Sequence, residues 1–141
     1  MKHEEHEQQV RFFQMMDMLG DRDEAFLTFA VPNGARFISR KHASRVRDEG
    51  MKSGVPDIIC AVPHGDYYCG LAIEMKIPPN KSTPTQVKWQ MILARKGWRV
   101  AVCHSAEEAF KEWAEYNNLD TDHYSLIARN FLFGEYVVGG A

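Results

Sequence analysis

The alternation of apolar and polar positions along the chain predicts eight elements in the order α-β-α-β-β-α-β-α. Helical spacing of apolar residues, with Phe12, Phe13, Met16 and Leu19 on one stripe, marks the first helix. The predicted strands cover residues 26–31, 57–62, 67–77 and 98–103, and the helices cover residues 5–19, 39–49, the segment capped by Thr83 and Gly97, and the segment after Ser105. This order is typical of an α/β domain with a mixed sheet and helices on both faces.

Capping residues mark the starts of the last two helices. Thr83 is followed by Pro84 at the first helical position and by Gln86 three residues on, which is the pattern of a capping box. Ser105 and Glu108 repeat that pattern before the final helix.

Composition limits the classes of protein to which the chain can belong. A length of 141 residues with 45% hydrophobic and 26% charged residues is that of one globular domain. No apolar run approaches the ~20 residues of a membrane span, and the acidic N-terminus lacks the apolar core of a secretory signal. Three cysteines without CxxC spacing favour a reducing, cytoplasmic setting, and Cys60 and Cys69 are expected to be buried in strands.

Charge is distributed unevenly around the net value of −2. Residues 36–52 hold six basic residues against two acidic ones, which is sufficient for a phosphate-binding surface. A solvated helix face is the alternative that charge alone leaves open. The candidate phosphate contacts are Arg36, Arg40, Lys41, Arg45, Arg47 and Lys52.

The two central strands bring two acidic residues together. If their hairpin is antiparallel and centred between Gly65 and Asp66, Asp57 lies directly opposite Glu74, with Cβ atoms roughly 5 Å apart. Lys76 shares the Glu74 face of its strand, because side chains alternate between faces.

Two close carboxylates repel each other unless a positive charge lies between them. Mg²⁺ suits this position, because it binds one or two carboxylates and completes its shell with waters and substrate phosphate. The backbone carbonyl of Met75 offers a further oxygen, and Lys76 can orient an attacking water or offset charge on a phosphate. Asp57, Glu74 and Lys76 therefore predict metal-assisted hydrolysis of a phosphodiester. Because E-x-K triplets are common, a solvent-facing Glu74–Lys76 pair remains the alternative.

Two further polar residues are weaker candidates. Glu5 lies on the core-facing stripe of the first helix together with Gln9, and such groups need either a polar destination or water. For Gln86, a structural role in its capping box is the alternative to a role in the site. Phosphate-binding glycine motifs, zinc-hydrolase motifs and nucleophile elbows are absent from the sequence, so no nucleotide cofactor is expected.

Several segments together resemble the VRR-NUC family, a branch of the PD-(D/E)xK nuclease superfamily. The resemblance spans roughly residues 5–115 and includes Glu5 and Gln9 near the start. Its motifs are the segments 31–34, 50–57, 73–76 and 82–86, followed by Trp89.

The resemblance implies a restriction-endonuclease-like fold, dependence on Mg²⁺ or Mn²⁺, and phosphodiester hydrolysis. By motif, Asp57 and Glu74 would be metal ligands, Lys76 the catalytic lysine, Gln86 the glutamine of the following helix, and Glu5 the acidic residue of the first helix and a further candidate ligand. Stand-alone members are expected to be homodimers that act on branched DNA, such as four-way Holliday junctions.

The leading hypothesis is therefore a metal-dependent DNA endonuclease, selective for DNA structure and dimeric. The alternatives are a sequence-specific restriction-type nuclease and a non-catalytic DNA-binding subunit of the same fold. We assign residues 1–117 to the nuclease domain and residues 118–141 to a C-terminal extension that packs on the domain or on a partner subunit.

Overall fold

A mixed sheet with the strand order β1-β2-β3-β4 forms the centre of the computed structural model, which describes residues 2–32 and 39–119. β1 pairs with β2 and β2 with β3 in antiparallel fashion, whereas β3 and β4 are parallel. The strands are β1 (Thr28–Ala30), β2 (Ile58–Cys60), β3 (Leu71–Met75) and β4 (Arg99–Cys103). The helices are α1 (Lys2–Asp17), α2 (Asp23–Phe26), α3 (Arg40–Asp48), α4 (Pro84–Arg95) and α5 (Ala106–Tyr116).

The predicted α/β class, with helices on both faces of a mixed sheet, is confirmed. One turn of helix, α2, was not predicted, and it takes up the first residue of the predicted strand 26–31. Asp23 and Glu24 occupy its first turn, where acidic residues interact favourably with the helix dipole. Phe26 is 87% exposed rather than part of a strand.

The hairpin strands are shorter than predicted, because the chain turns between residues 61 and 70. Gly70 lies against Trp98 so closely that an added Cβ would come within 2.5 Å of the indole ring. The prediction that Cys69 is a buried strand residue is wrong, since it is exposed and precedes β3; Cys60 is buried as predicted.

The register of the hairpin is as predicted. Ile58 lies opposite Ile73 and Cys60 opposite Leu71, so the same register carries Asp57 to the position opposite Glu74.

The predicted helix caps are also present. Thr83 and Gln86 form a complete capping box, whereas Glu108 accepts the backbone N–H of His104 rather than that of Ser105.

One face of the sheet packs against α1 and α5 to form the hydrophobic core. Ile73 and Met75 enter this core from β3, as their alternation with Glu74 predicts. Trp113 of α5 is fully buried there, and its indole N–H donates to the Thr28 hydroxyl over 2.9 Å. Met15 was missing from the predicted stripe of α1 but is also fully buried.

Helix α4 covers the opposite face, which carries Glu74. The loop between α3 and β2 rests on the first turns of α4: the Trp89 indole N–H donates to the Ser53 carbonyl over 3.0 Å. Gly54 has a φ of +81°, and a Cβ there would lie 2.6 Å from the Thr85 Cγ2. Only glycine combines this backbone conformation with so close an approach.

Two further expectations concern membrane-spanning segments and the C-terminal extension. In the described ranges, none of the helices has both the length and the apolar character needed to cross a bilayer. Leu119 packs against the core, and residues 120–141 of the predicted extension lie outside the described residues.

Candidate active site

Asp57 directly precedes β2, at the end of the sheet where β3 and β4 finish. Its Oδ2 accepts the backbone N–H of Met75 over 2.8 Å. In the register of the hairpin, the residue opposite Met75 is Pro56, which has no N–H. Pro56 therefore cannot donate to the Met75 carbonyl, and the Met75 N–H bonds to the aspartate side chain.

The same proline leaves the Met75 carbonyl without a partner from β2. The N–H of Lys76 donates to the Cys103 carbonyl on β4 over 2.9 Å. Across a trans peptide the C=O and the N–H point in opposite directions, so the Met75 carbonyl is directed toward the β2 side, where Asp57 lies. A carbonyl ligand for an ion beside Asp57 needs this orientation.

Glu74 is only 2% exposed, although it is a carboxylate. Its Oε1 accepts a hydrogen bond from Gln86 Nε2 over 2.8 Å, while its Oε2 is buried without a hydrogen-bond partner. Gln86 also accepts the Thr83 N–H at its Oε1, so the amide serves both the helix cap and Glu74. The alternative of a solvent-facing Glu74–Lys76 pair is therefore wrong for Glu74.

Burial raises the pKa of Glu74 to about 8, and the negative charges of Asp57 and Glu5 act in the same direction. Burial also raises the pKa of Asp57; the Met75 N–H and Lys76 oppose that shift, and Glu5 adds to it. Each carboxyl group affects the pKa of the other, so the two lie close together. Such a pair favours either a shared proton or a cation between them.

Lys76 follows β3 and is half-buried. Its positive charge lowers the pKa of both carboxyl groups, so the ammonium group lies within electrostatic reach of Asp57 and Glu74. Asp57, Glu74, Lys76 and Gln86 thus lie close together at this end of the sheet.

Glu5 reaches the same region from α1. Its Oε1 accepts a hydrogen bond from Asn80 Nδ2 over 3.2 Å, and its charge acts on both carboxyl groups of the site. Gln9 lines a depression on α1 together with Phe13. Gln8, which the sequence did not single out, accepts the N–H of Ala106 at the start of α5.

The donor set fits a hard divalent cation. It offers an unpartnered buried carboxylate oxygen on Glu74, a second carboxylate on Asp57 and the Met75 carbonyl. Within residues 2–32 and 39–119, no three histidine, cysteine, aspartate or glutamate side chains are arranged to hold a metal ion. An ion at this site would therefore need the carbonyl, waters and a substrate phosphate as further ligands, which is how Mg²⁺ is usually bound.

The predicted basic surface is exposed wherever the structure describes it. Helix α3 has no buried residue, and Ser39 caps it by accepting the His42 N–H. Its C-terminal end leads through the loop that rests on α4 directly to Asp57. The exposed basic residues are Arg40, Lys41, Arg45, Arg47 and Lys52, whereas Arg36 lies outside the described residues.

Comparison with known proteins gives a consistent result. A family model of the VRR-NUC domain matches residues 2–107. A solved structure titled "VRR_NUC domain protein" is similar in fold, with a TM-score of 0.63, 21% identity, and coverage of 81% of this chain and 93% of that one. No curated protein matches the chain in sequence.

Proposed function

Because the chain belongs to the VRR-NUC domain family, which implies a nuclease-type, DNA-binding fold, we propose that it is a metal-dependent DNA endonuclease. The observation that carries this proposal is the buried, unpartnered Oε2 of Glu74 beside Asp57. A purely structural carboxylate would have both oxygens satisfied, since buried polar groups almost always find partners.

The protein groups have distinct roles in this reaction. Asp57, Glu74 and the Met75 carbonyl would hold Mg²⁺ or Mn²⁺, with Glu5 as a further candidate ligand. When bound, the ion polarises the phosphodiester and makes water a stronger nucleophile at neutral pH. Gln86 fixes Glu74 through the amide hydrogen bond, so that Oε2 stays directed into the site.

Lys76 supplies the positive charge of the protein at the reacting phosphate. Its ammonium group orients the attacking water and offsets the negative charge that develops during displacement. Both effects require the lysine to remain on the Glu74 side of the sheet, where its charge already acts on the two carboxyl groups.

Branched DNA is the proposed substrate, and a homodimer the proposed active form. Two sites related by a two-fold axis suit paired cuts in a symmetric four-way junction. The basic residues of α3 and its following loop would contact the DNA backbone, which predicts binding that weakens steeply with salt.

The test is a cleavage assay on matched four-way junction, flap, single-stranded and duplex DNA, with Mn²⁺ or with chelator. Cleavage of the junction in Mn²⁺ and none in chelator is expected. Discrete fragments from unbranched duplex would instead favour a sequence-specific restriction-type enzyme. If Mn²⁺ and Mg²⁺ support cleavage of none of the four substrates, the proposal is wrong.

A substitution of the lysine tests its assignment. Lys76→Ala should abolish cleavage and leave junction binding intact, because the change removes a charge at the reacting phosphate and none on α3. Lys111→Ala changes an exposed lysine of α5, at the other face of the sheet; it is the matched control and should cut at the wild-type rate. Wild-type cleavage by Lys76→Ala would contradict the role of Lys76.

A further inference from the structure

We propose that His104 is a positioning residue that fixes Lys76 in the active site, an inference that rests on the proposed nuclease function. His104 follows β4, and its ring Nδ1 lies 2.8 Å from the Lys76 carbonyl oxygen. Because a carbonyl can only accept, Nδ1 must carry the proton and donate.

This hydrogen bond replaces one that the sheet cannot make. In a parallel ladder, Lys76 would donate to the Cys103 carbonyl and accept from the N–H two residues further along β4. The first bond is present, but β4 ends at Cys103 and Ser105 is already the N-cap of α5. The imidazole of His104 takes the place of the missing backbone donor.

The hydrogen bond from the His104 imidazole matters because little else holds the backbone of Lys76 in place. The residues that follow Ile77 are Pro78 and Pro79, which have no N–H with which to extend the ladder. With both its N–H and its carbonyl bonded to the β4 side, the backbone of Lys76 keeps its extended conformation. Its side chain then stays on the Glu74 face, where its charge acts on Asp57 and Glu74.

His104 is itself anchored by the start of α5. Its backbone N–H donates to Glu108 Oε2 over 3.1 Å, and the Glu108 N–H donates to the Ser105 hydroxyl over 3.1 Å. The first turn of α5 thereby fixes the imidazole, and the imidazole fixes the lysine backbone. His104 is exposed, so its contribution to the hydrophobic core is small.

The first test uses ring ¹⁵N NMR of the wild-type protein at about pH 8, where an ordinary imidazole is neutral. The protein is kept free of divalent cations and DNA. We expect His104 to be protonated at Nδ1, the minor tautomer of free histidine. Protonation at Nε2 alone would overturn the proposal regardless of any nuclease activity.

The second test compares His104→Ala and His104→Asn in single-turnover cleavage of the four-way junction with Mn²⁺. Misplacing a reacting group by about 1 Å costs on the order of a hundredfold in rate. We therefore expect His104→Ala to cut about ten- to a hundredfold more slowly, with junction affinity unchanged. His104→Asn, whose amide can also donate to the carbonyl, should recover part of the rate.

His64→Ala is the matched control. His64 lies at the opposite end of the sheet, where its Nε2 is 2.9 Å from Asn117 Oδ1, so its loss should lower stability without lowering the cleavage rate. Wild-type rates for His104→Ala, or equal losses for His104→Ala and His104→Asn, would overturn the positioning role. If the wild-type protein cuts no substrate, the nuclease proposal fails together with this role, whereas the NMR result still decides the contact.

Discussion

Replacing Glu74 with glutamine should make the metal-free protein more stable at pH 8 and leave it nearly unchanged at pH 4. An amide is isosteric with the carboxyl group but cannot ionise. Its oxygen can accept from Gln86 Nε2, and its N–H group can face Asp57, which lies opposite position 74 in the register of the hairpin. The variant thus removes a buried charge and satisfies the atom that is unpartnered in the wild-type chain.

The magnitude follows from the raised pKa of Glu74. Burial raises this pKa from 4.5 to about 8, and one pKa unit corresponds to ~1.4 kcal/mol. Below pH 4.5 the carboxyl group is protonated in both states, so no penalty arises. As the pH rises toward 8, only the unfolded chain loses this proton, and the folded state loses stability. The total loss in the free energy of unfolding approaches ~5 kcal/mol for a dry site. It falls to ~2 kcal/mol for a site that water enters.

Urea denaturation in chelator at several pH values between 4 and 8 measures this difference directly. The free energy of unfolding of Glu74→Gln should rise relative to wild type by ~2–5 kcal/mol across that range. Glu107→Gln, which changes an exposed carboxyl group on α5, is the control and should show no such trend. A difference between Glu74→Gln and wild type that is constant with pH would refute the burial of an ionisable, unpartnered Glu74.

Four further outcomes are expected. Saturating Mn²⁺, at about a hundredfold above its Kd, should stabilise the wild-type protein by ~2.7 kcal/mol in a thermal-shift assay. The Asp57→Asn variant should lose most of this stabilisation. An equal shift in both proteins would exclude Asp57 as a ligand. Gln86→Ala removes a hydrogen bond at each end of its amide and should cost ~1–3 kcal/mol in urea unfolding. Gly54→Ala should cost ~1–3 kcal/mol because of its positive φ and its contact with α4. Lys41→Ala and Arg45→Ala should each reduce the salt slope of DNA binding by about one, measured by fluorescence anisotropy; unchanged slopes would favour a merely solvated helix face.

The sequence was sufficient to predict the register, because a hairpin leaves few ways to pair two apolar strands. Asp57 and Glu74 were placed correctly once Pro63-His64-Gly65-Asp66 was identified as the turn. The burial of Glu74 was not predictable, since it depends on α4 covering that face of the sheet, which is a tertiary contact. The same holds for Asn80, whose bond to Glu5 joins residues 75 positions apart.

The role of His104 is not predictable from the sequence either, for a different reason. No motif marks it, and isolated histidines have many roles. In retrospect, the proline pair after Lys76 and the serine cap after His104 together indicate a strand end without backbone donors. The length of β1 was overestimated because apolar runs predict strands even where, as at Phe26, the side chain faces solvent.

The two hydrogen bonds of the Gln86 amide have a consequence for how the proposed active site forms. Its oxygen is occupied by Thr83 and its nitrogen by Glu74, so the amide cannot flip without losing both partners. If the first turn of α4 unravels, Glu74 loses its only hydrogen-bond donor among the described residues at the same moment. Local opening at that helix end and disruption of the proposed metal-binding carboxylates are therefore a single event, and amide exchange at the start of α4 would report how often the site is assembled.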